Sequence, residues 1–285
     1  MPNSDPKTLV TTGWLHSHLK DPDLRIIDGS WYLPDERRDA KSEYDICHLP
    51  GARFVDIDDL SDNRSDMPHM APPVEKFMSR MRALGIGDGH QVVVYDGAGI
   101  FSAARIWWMF RLMGKMDVAV LDGGLPKWQA EGLPVEDLPP IVRDRHMTTA
   151  RQAHMVRDVT QVAAASKLGD HTILDARGPA RFRGEAPEPR AGLRSGHIPR
   201  SRNVYYGDVL NPDGTMKDPT ALRGVFDAAG ADLSKPVITT CGSGVTAAIL
   251  CLALERMGHT NHALYDGSWA EWGMYDDLPI ATGDA

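Results

Sequence analysis

The sequence predicts an α/β fold made of two tandem domains, each a central, mostly parallel sheet flanked by helices. Three observations carry that reading. Short apolar runs of strand length alternate with helical segments, the pattern of βαβ units. The same landmarks occur twice in the same order. The chain has 285 residues, enough for two domains of ordinary size.

Taken in order, residues 90–95, 117–121, 171–174, 235–240 and 262–265 read as buried strands, being short, apolar and rich in β-branched side chains. Residues 102–113 and 245–257 read as helices. A glycine closes each, Gly114 and Gly258, where the chain must turn left-handed after the last helical residue. In open α/β sheets, functional groups gather at the carboxyl ends of strands.

The chain is an internal duplication. Ile26-Ile27-Asp28 matches Ile173-Leu174-Asp175 at an offset of 175 − 28 = 147, and His48-Leu49-Pro50 matches His197-Ile198-Pro199 at 197 − 48 = 149. Val94-Tyr95-Asp96-Gly97 matches Thr239-Thr240-Cys241-Gly242 at 241 − 96 = 145. Asp122 and Trp128 match Asp266 and Trp272, both at 144. This defines a first domain over 1–140, a proline-marked, charged linker over 141–154 and a second domain over 155–285. Landmarks shared by both halves (Asp28, Asp175, His48, His197, Asp122, Asp266) read as structural.

Composition bounds the function. A net charge of −8 argues against nucleic acid or an anionic membrane as the main partner. Three cysteines do not make a disulfide framework and favour a reducing compartment. No apolar stretch reaches the roughly 20 residues that span a bilayer, and Met1–Lys7 carries no basic-then-apolar signal. The expected location is the cytoplasm. His16 and His18 lack further ligands at metal-site spacing, and Gly242-Ser243-Gly244 is too short for a dinucleotide fingerprint. No metal or cofactor is expected.

Cys241 is the most informative residue. A β-branched run ends in it, a glycine-spaced loop follows, and an apolar helix begins directly after. Backbone N–H groups and a helix N-terminus aimed at one sulfur favour thiolate over thiol. The glycines let the backbone curl into an anion-binding nest without side-chain clashes. Cys241 therefore reads as a nucleophile, whereas Cys47 and Cys251 read as small hydrophobes. The first half has Asp96 at this position and reads as a catalytically silent copy, kept to wall the site and lend it side chains.

These segments, with Arg181-Phe182-Arg183-Gly184-Glu185, Ser195-Gly196-His197-Ile198-Pro199 and Trp269-Ala270-Glu271-Trp272, resemble the two-domain rhodanese-like sulfurtransferases, above all those acting on 3-mercaptopyruvate. The resemblance covers essentially the whole chain. It implies two tandem rhodanese-like domains and a double displacement: Cys241 takes a sulfane sulfur as a persulfide, then passes it to a thiol or cyanide acceptor. By the same resemblance Arg181 and Arg190 clamp the donor's carboxylate and carbonyl, which suits guanidinium geometry. Gly242, Gly244, Val245 and Thr246 line the donor around the sulfur. Ser243 protonates the departing enolate, assisted by His69 and Asp58 from the silent domain. Arg183 and Arg194 read as surface arginines.

Thiosulfate-using relatives carry basic residues at the two loop positions occupied here by Gly242 and Ser243, so mercaptopyruvate is the expected donor and thiosulfate the alternative. The acceptor is expected to be a thioredoxin-like protein, a small dithiol or cyanide. Cysteine phosphatases also hold a thiolate before a helix, but they need an arginine closing the loop, and none stands between Cys241 and Glu255. A non-enzymatic persulfide carrier would also keep the cysteine loop, although a paired domain and an arginine clamp fit turnover of a small substrate better.

Overall fold

The computed structural model describes residues 8–284, so the N-terminal stretch read for a targeting signal lies outside the described residues. The chain forms two compact units. One comprises the residues up to Asn63, Ala71–Gln152 and Asn211–Met216; the other comprises Arg64–Met70, Ala153–Leu210 and Lys217 onward. Each half therefore lends a short segment to the unit built mainly by the other.

The first unit holds strands β1 (Leu9–Val10), β2 (Leu24–Asp28), β3 (Arg53–Phe54), β4 (Gln91–Tyr95) and β5 (Val118–Leu121), ordered β1-β5-β4-β2-β3. The second holds β6 (Val156–Arg157), β7 (Thr172–Asp175), β8 (Arg202–Asn203), β9 (Val237–Thr240) and β10 (His262–Tyr265), ordered β6-β10-β9-β7-β8. The two orders are the same once the offset is removed. Every pairing in these sheets is parallel, so the sheets go beyond the mostly parallel expectation.

The five expected strands are present: 262–265 at its expected bounds, the other four trimmed by one or two residues or shifted by one. The four edge strands β1, β3, β6 and β8 are two residues long and too short for a periodicity to register. The helix Ala103–Leu112 packs on β4 and β5 and is buried at all ten positions. Its counterpart Ala247–Arg256 packs on β9 and β10 and is buried at eight. A helix apolar all round is one enclosed by protein. Gly114 and Gly258 follow the C-caps with φ of +88° and +79°, as expected for left-handed closure.

The repeated landmarks act as matched fasteners. His48 and His197 are buried, and each Nδ1 bonds a backbone carbonyl, of Tyr44 at 2.6 Å and of Phe182 at 2.8 Å. Each ring stacks on the aromatic side chain of that carbonyl's residue. Trp128 and Trp272 donate their indole N–H to Pro134 O and Pro279 O at 2.8 and 2.9 Å. Side chains used identically in both units serve folding. Among the described residues, no helix is long and apolar enough to cross a membrane.

Candidate active site

β9 ends at Thr240, and the chain bends through 241–246 before the helix Ala247–Arg256. The helix starts two residues later than its apolar pattern predicts, because Val245 and Thr246 complete the turn around the sulfur. Cys241 is 2 % exposed, and its Sγ accepts the Gly244 N–H at 3.2 Å. Gly244 has φ +82°, a conformation that costs an L side chain about 1–2 kcal/mol. The outer side of the loop is tied to the helix Ser268–Trp272. Cys241 N–H donates to Ser268 Oγ at 3.2 Å, while Trp269 and Ala270 N–H donate to the carbonyls of Cys241 and Gly242 at 3.0 and 2.9 Å. The cysteine is thus held by its own backbone, leaving the sulfur unencumbered by side-chain bonds that would fix it.

Ser243, 6 % exposed, lies 2.8 Å from His69 Nδ1 through its Oγ. His69 is equally buried and comes from the segment Arg64–Met70 embedded in this unit. It is one of four non-glycine residues with positive φ among those described, at +60°. Left-handed backbone at a bulky residue persists only where surrounding structure demands it. Of the proposed relay, Ser243 and His69 meet. Asp58 lies exposed in the first unit on the helix Ile57–Leu60, where its carboxylate accepts the Trp31 Nε1–H at 3.1 Å.

Arg181, on the short helix Pro179–Arg183, presents Nη2 to the loop: a Cβ added at Gly242 would stand 3.2 Å from it. Its guanidinium bonds Glu188 at 2.5 Å through Nη2 and 3.3 Å through Nε. Glu188 also accepts from Arg177 at 2.8 Å, and Arg177 is clamped by Asp175 at 2.6–3.1 Å and stacked over Trp269 at 4.3 Å. Burial opposes the charge on Arg177, but Asp175 and Glu188 outweigh it and keep the guanidinium more firmly protonated than usual. Arg190 is half-buried in the bend at 189–190. Sequence reasoning missed Arg177 and Glu188. A signal existed: Asp28 is followed two residues later by Ser30, whereas Asp175 is followed by Arg177, a difference between halves like that of Asp96 and Cys241.

The first unit shows what such a loop holds. Asp96 is fully buried at the end of β4, and its carboxylate accepts N–H groups of Ala98, Phe101 and Ala103 at 2.8–2.9 Å. The loop there runs one residue longer before its helix. Three backbone amides converge on the Asp96 carboxylate in the first unit, and at the equivalent strand end of the second the Gly244 N–H reaches the Cys241 sulfur. With sulfur in that place, the same arrangement suits a thiolate nucleophile. No cluster able to hold a metal ion occurs among the described residues.

Comparison with known proteins agrees with this geometry. The Rhodanese-like domain model matches residues 11–131 and 158–275. The chain is 43 % identical to thiosulfate/3-mercaptopyruvate sulfurtransferase 1 (mitochondrial) of Arabidopsis thaliana, covering 98 % of this chain and 79 % of that one. It is 42 % identical to the 3-mercaptopyruvate sulfurtransferase of Escherichia coli K12, over 95 % and 96 %. The crystal structure of SseA from Escherichia coli superposes with a TM-score of 0.85 at 40 % identity, covering 92 % of this chain and 98 % of that one. The chain belongs to the rhodanese-like family, as a two-domain sulfurtransferase.

Proposed function

We propose that the chain takes sulfur from 3-mercaptopyruvate. The Cys241 thiolate attacks the donor's sulfur; an S–S bond forms, the C–S bond breaks, and its electrons pass to the carbon fragment as the enolate of pyruvate. One proton converts that enolate to pyruvate and leaves Cys241 as a persulfide. In the second half-reaction the outer sulfur moves to cyanide, giving thiocyanate, or to a thiol, giving that thiol's persulfide, and the Cys241 thiolate is restored. A small dithiol or a thioredoxin-like protein is the acceptor we favour in a reducing cytoplasm.

Ser243 supplies the proton through its hydroxyl, oriented by His69, with Asp58 as the third member of the relay. Arg181 and Arg190 bind the carboxylate and the adjacent carbonyl, and the loop backbone at Gly242, Gly244, Val245 and Thr246 lines the transferring sulfur. The domain over 1–140 is the silent partner, joined through 141–154 to the catalytic domain over 155–285.

The observation that carries the choice of donor is the uncharged loop with Ser243 hydrogen-bonded to His69. A compact dianion such as thiosulfate needs counter-charge at the sulfur, and a protonating pair is useless to it because sulfite departs without needing a proton on carbon. Mercaptopyruvate needs that proton and carries its own charge to Arg181. Comparing the two donors in steady state, in the wild type and in Gly242→Arg/Ser243→Lys, tests this. Mercaptopyruvate turnover should fall and thiosulfate turnover rise relative to it. If the folded double variant scales both donors by one factor, loop charge is not the selector.

A further inference from the structure

The first sheet carries a second cationic feature, at the opposite end from Asp96. Arg25 is the second residue of β2, Arg53 opens β3, and Gly85 lies in the turn leading to β4. Together with Ile141, Arg143 and Arg145 they line a cavity of about 250 Å³. Four arginines and no acidic residue line it among the described residues.

The two inner arginines are fixed by neutral partners. Arg25 bonds the carbonyls of Gly85, Pro22 and Leu24 at 2.7–3.1 Å and His90 Nε2 at 2.7 Å. Arg53 bonds the carbonyls of Leu84 and Gly51 at 2.7 and 2.8 Å. Burial, then the charge of Arg145, holds Arg25 below its ordinary pKa, with Asp23 acting the other way. Burial and Arg25 do the same to Arg53, against a smaller opposing effect of Tyr44. Like charges have been brought together with little acid to neutralise them.

The outer two sit on an anchored strap. Asp88 N–H donates to His146 O at 3.2 Å, and Thr148 donates to the Asp88 carboxylate at 2.7 Å through N–H. A Cβ at Gly85 or Gly87 would collide with this strap, at 3.0 Å from Arg143 O and 2.5 Å from His146 O. Glycine there lets the strap lie flat against the turn. Arg143 and Arg145, two residues apart on this strap, both line the cavity. Among the described residues neither makes a hydrogen bond or ion pair.

The duplication supplies a control. The matching end of the second sheet also has a basic cavity, lined by Arg200, Arg202 and Lys235, but Asp232 and Asp284 line it too, with Lys235 3.8 Å from Asp232. Only the first unit presents its arginines without acids.

We propose that the Arg25–Arg53–Arg143–Arg145 cavity is a binding site for a multiply charged phosphate-class oxoanion. Guanidinium groups pair with such oxygens in bidentate fashion, and the strap closes two of them over an anion seated on the inner pair. Calorimetric titration at fixed ionic strength with inorganic phosphate, pyrophosphate and ADP tests the assignment. The wild type should bind pyrophosphate. Arg143→Gln/Arg145→Gln, which breaks no bond in the fold, should weaken it at least about ten-fold. Arg181→Ala, at the other cationic site, should keep pyrophosphate affinity. ADP binding more tightly than pyrophosphate would identify a nucleotide as the source of the phosphate, and the reverse an inorganic anion. The proposal is overturned if the wild type binds none of the three, if the strap variant binds undiminished, or if Arg181→Ala abolishes binding.

Discussion

Asp96 and Cys241 stand at equivalent strand ends, and the exchange of a carboxylate for a sulfur divides the two units chemically. In the first unit three backbone amides are already engaged by the Asp96 carboxylate. Because only Cys241 lies in such a loop, treatment with donor should add the mass of one sulfur atom to the wild type and none to Cys241→Ser. Mass spectrometry that finds the label on Cys47 or Cys251 would remove Cys241 from its role. Cys251 is fully buried against Thr239, inside the helix and away from the loop. Arg181 and Arg190 make a second test at this scale. Losing a charged hydrogen-bonding partner costs roughly 1.5–3 kcal/mol, so Arg190→Ala should lower kcat/KM for mercaptopyruvate about ten- to hundred-fold. Unchanged turnover would mean that the carboxylate is held elsewhere.

At the scale of elements, the site is positioned by what packs behind it. The strand end at Asp175, the start of the helix Ser268–Trp272 and the loop at Glu188 are joined through Arg177, so Arg181 and the helix that ties down the cysteine loop meet one buried ion-pair network. The other side of β10 carries a second buried charge. His262 is 6 % exposed, with Nε2 3.3 Å from the Glu255 carboxylate, a contact off the hydrogen-bonding axis. Burial disfavours its charge, but Cys251 and Glu255 more than offset that and raise its pKa to about 9. The folded state therefore holds this proton more tightly than the unfolded chain, whose histidine titrates near 6.5. Stability from this group is complete below about pH 6.5 and is lost as pH rises toward 9, by up to about 3 kcal/mol. Thermal melts across that window should show a falling Tm, and Glu255→Gln should lessen the fall in part, Cys251 being the larger influence. A wild-type Tm that rises over the window would contradict the pairing.

For the whole molecule, the consequential feature is that Arg64–Met70 leaves the unit around it in sequence and becomes part of the other. It delivers His69 to Ser243, a contact across 174 positions. If that pair protonates an enolate, His69→Ala should depress mercaptopyruvate turnover far more than thiosulfate turnover, since only the first donor leaves a carbanion. Equal losses with both donors would make His69 a structural residue of the loop. The chain's net charge of −8 is no obstacle to anionic substrates, because both cationic features are local clusters of guanidinium groups, and fields from the remaining surface charges are screened within about 10 Å at ordinary salt.

What the sequence determined by itself was whatever local chemistry or repetition encodes. Strand–helix alternation, glycine closures and the recurring His, Asp and Trp landmarks specify a doubled α/β fold, because each acts within a few residues or on one element's face. The cysteine loop was legible for the same reason: its strand, glycines and helix are contiguous. Tertiary structure alone decided the rest. The edge strands exist only because a neighbour offers its free N–H and C=O groups, and no two-residue segment announces that. Glu188 became the hinge of two arginines through a loop that folds back on residues 7 and 11 positions earlier, and His69 the partner of Ser243 through a contact between segments that the sequence keeps far apart. The strap 143–148, charged and aperiodic to the eye, became an ordered wall because Gly85 and Gly87 leave room for its backbone. Periodicity records which face of an element is apolar; it carries no record of which distant segment will lie against it.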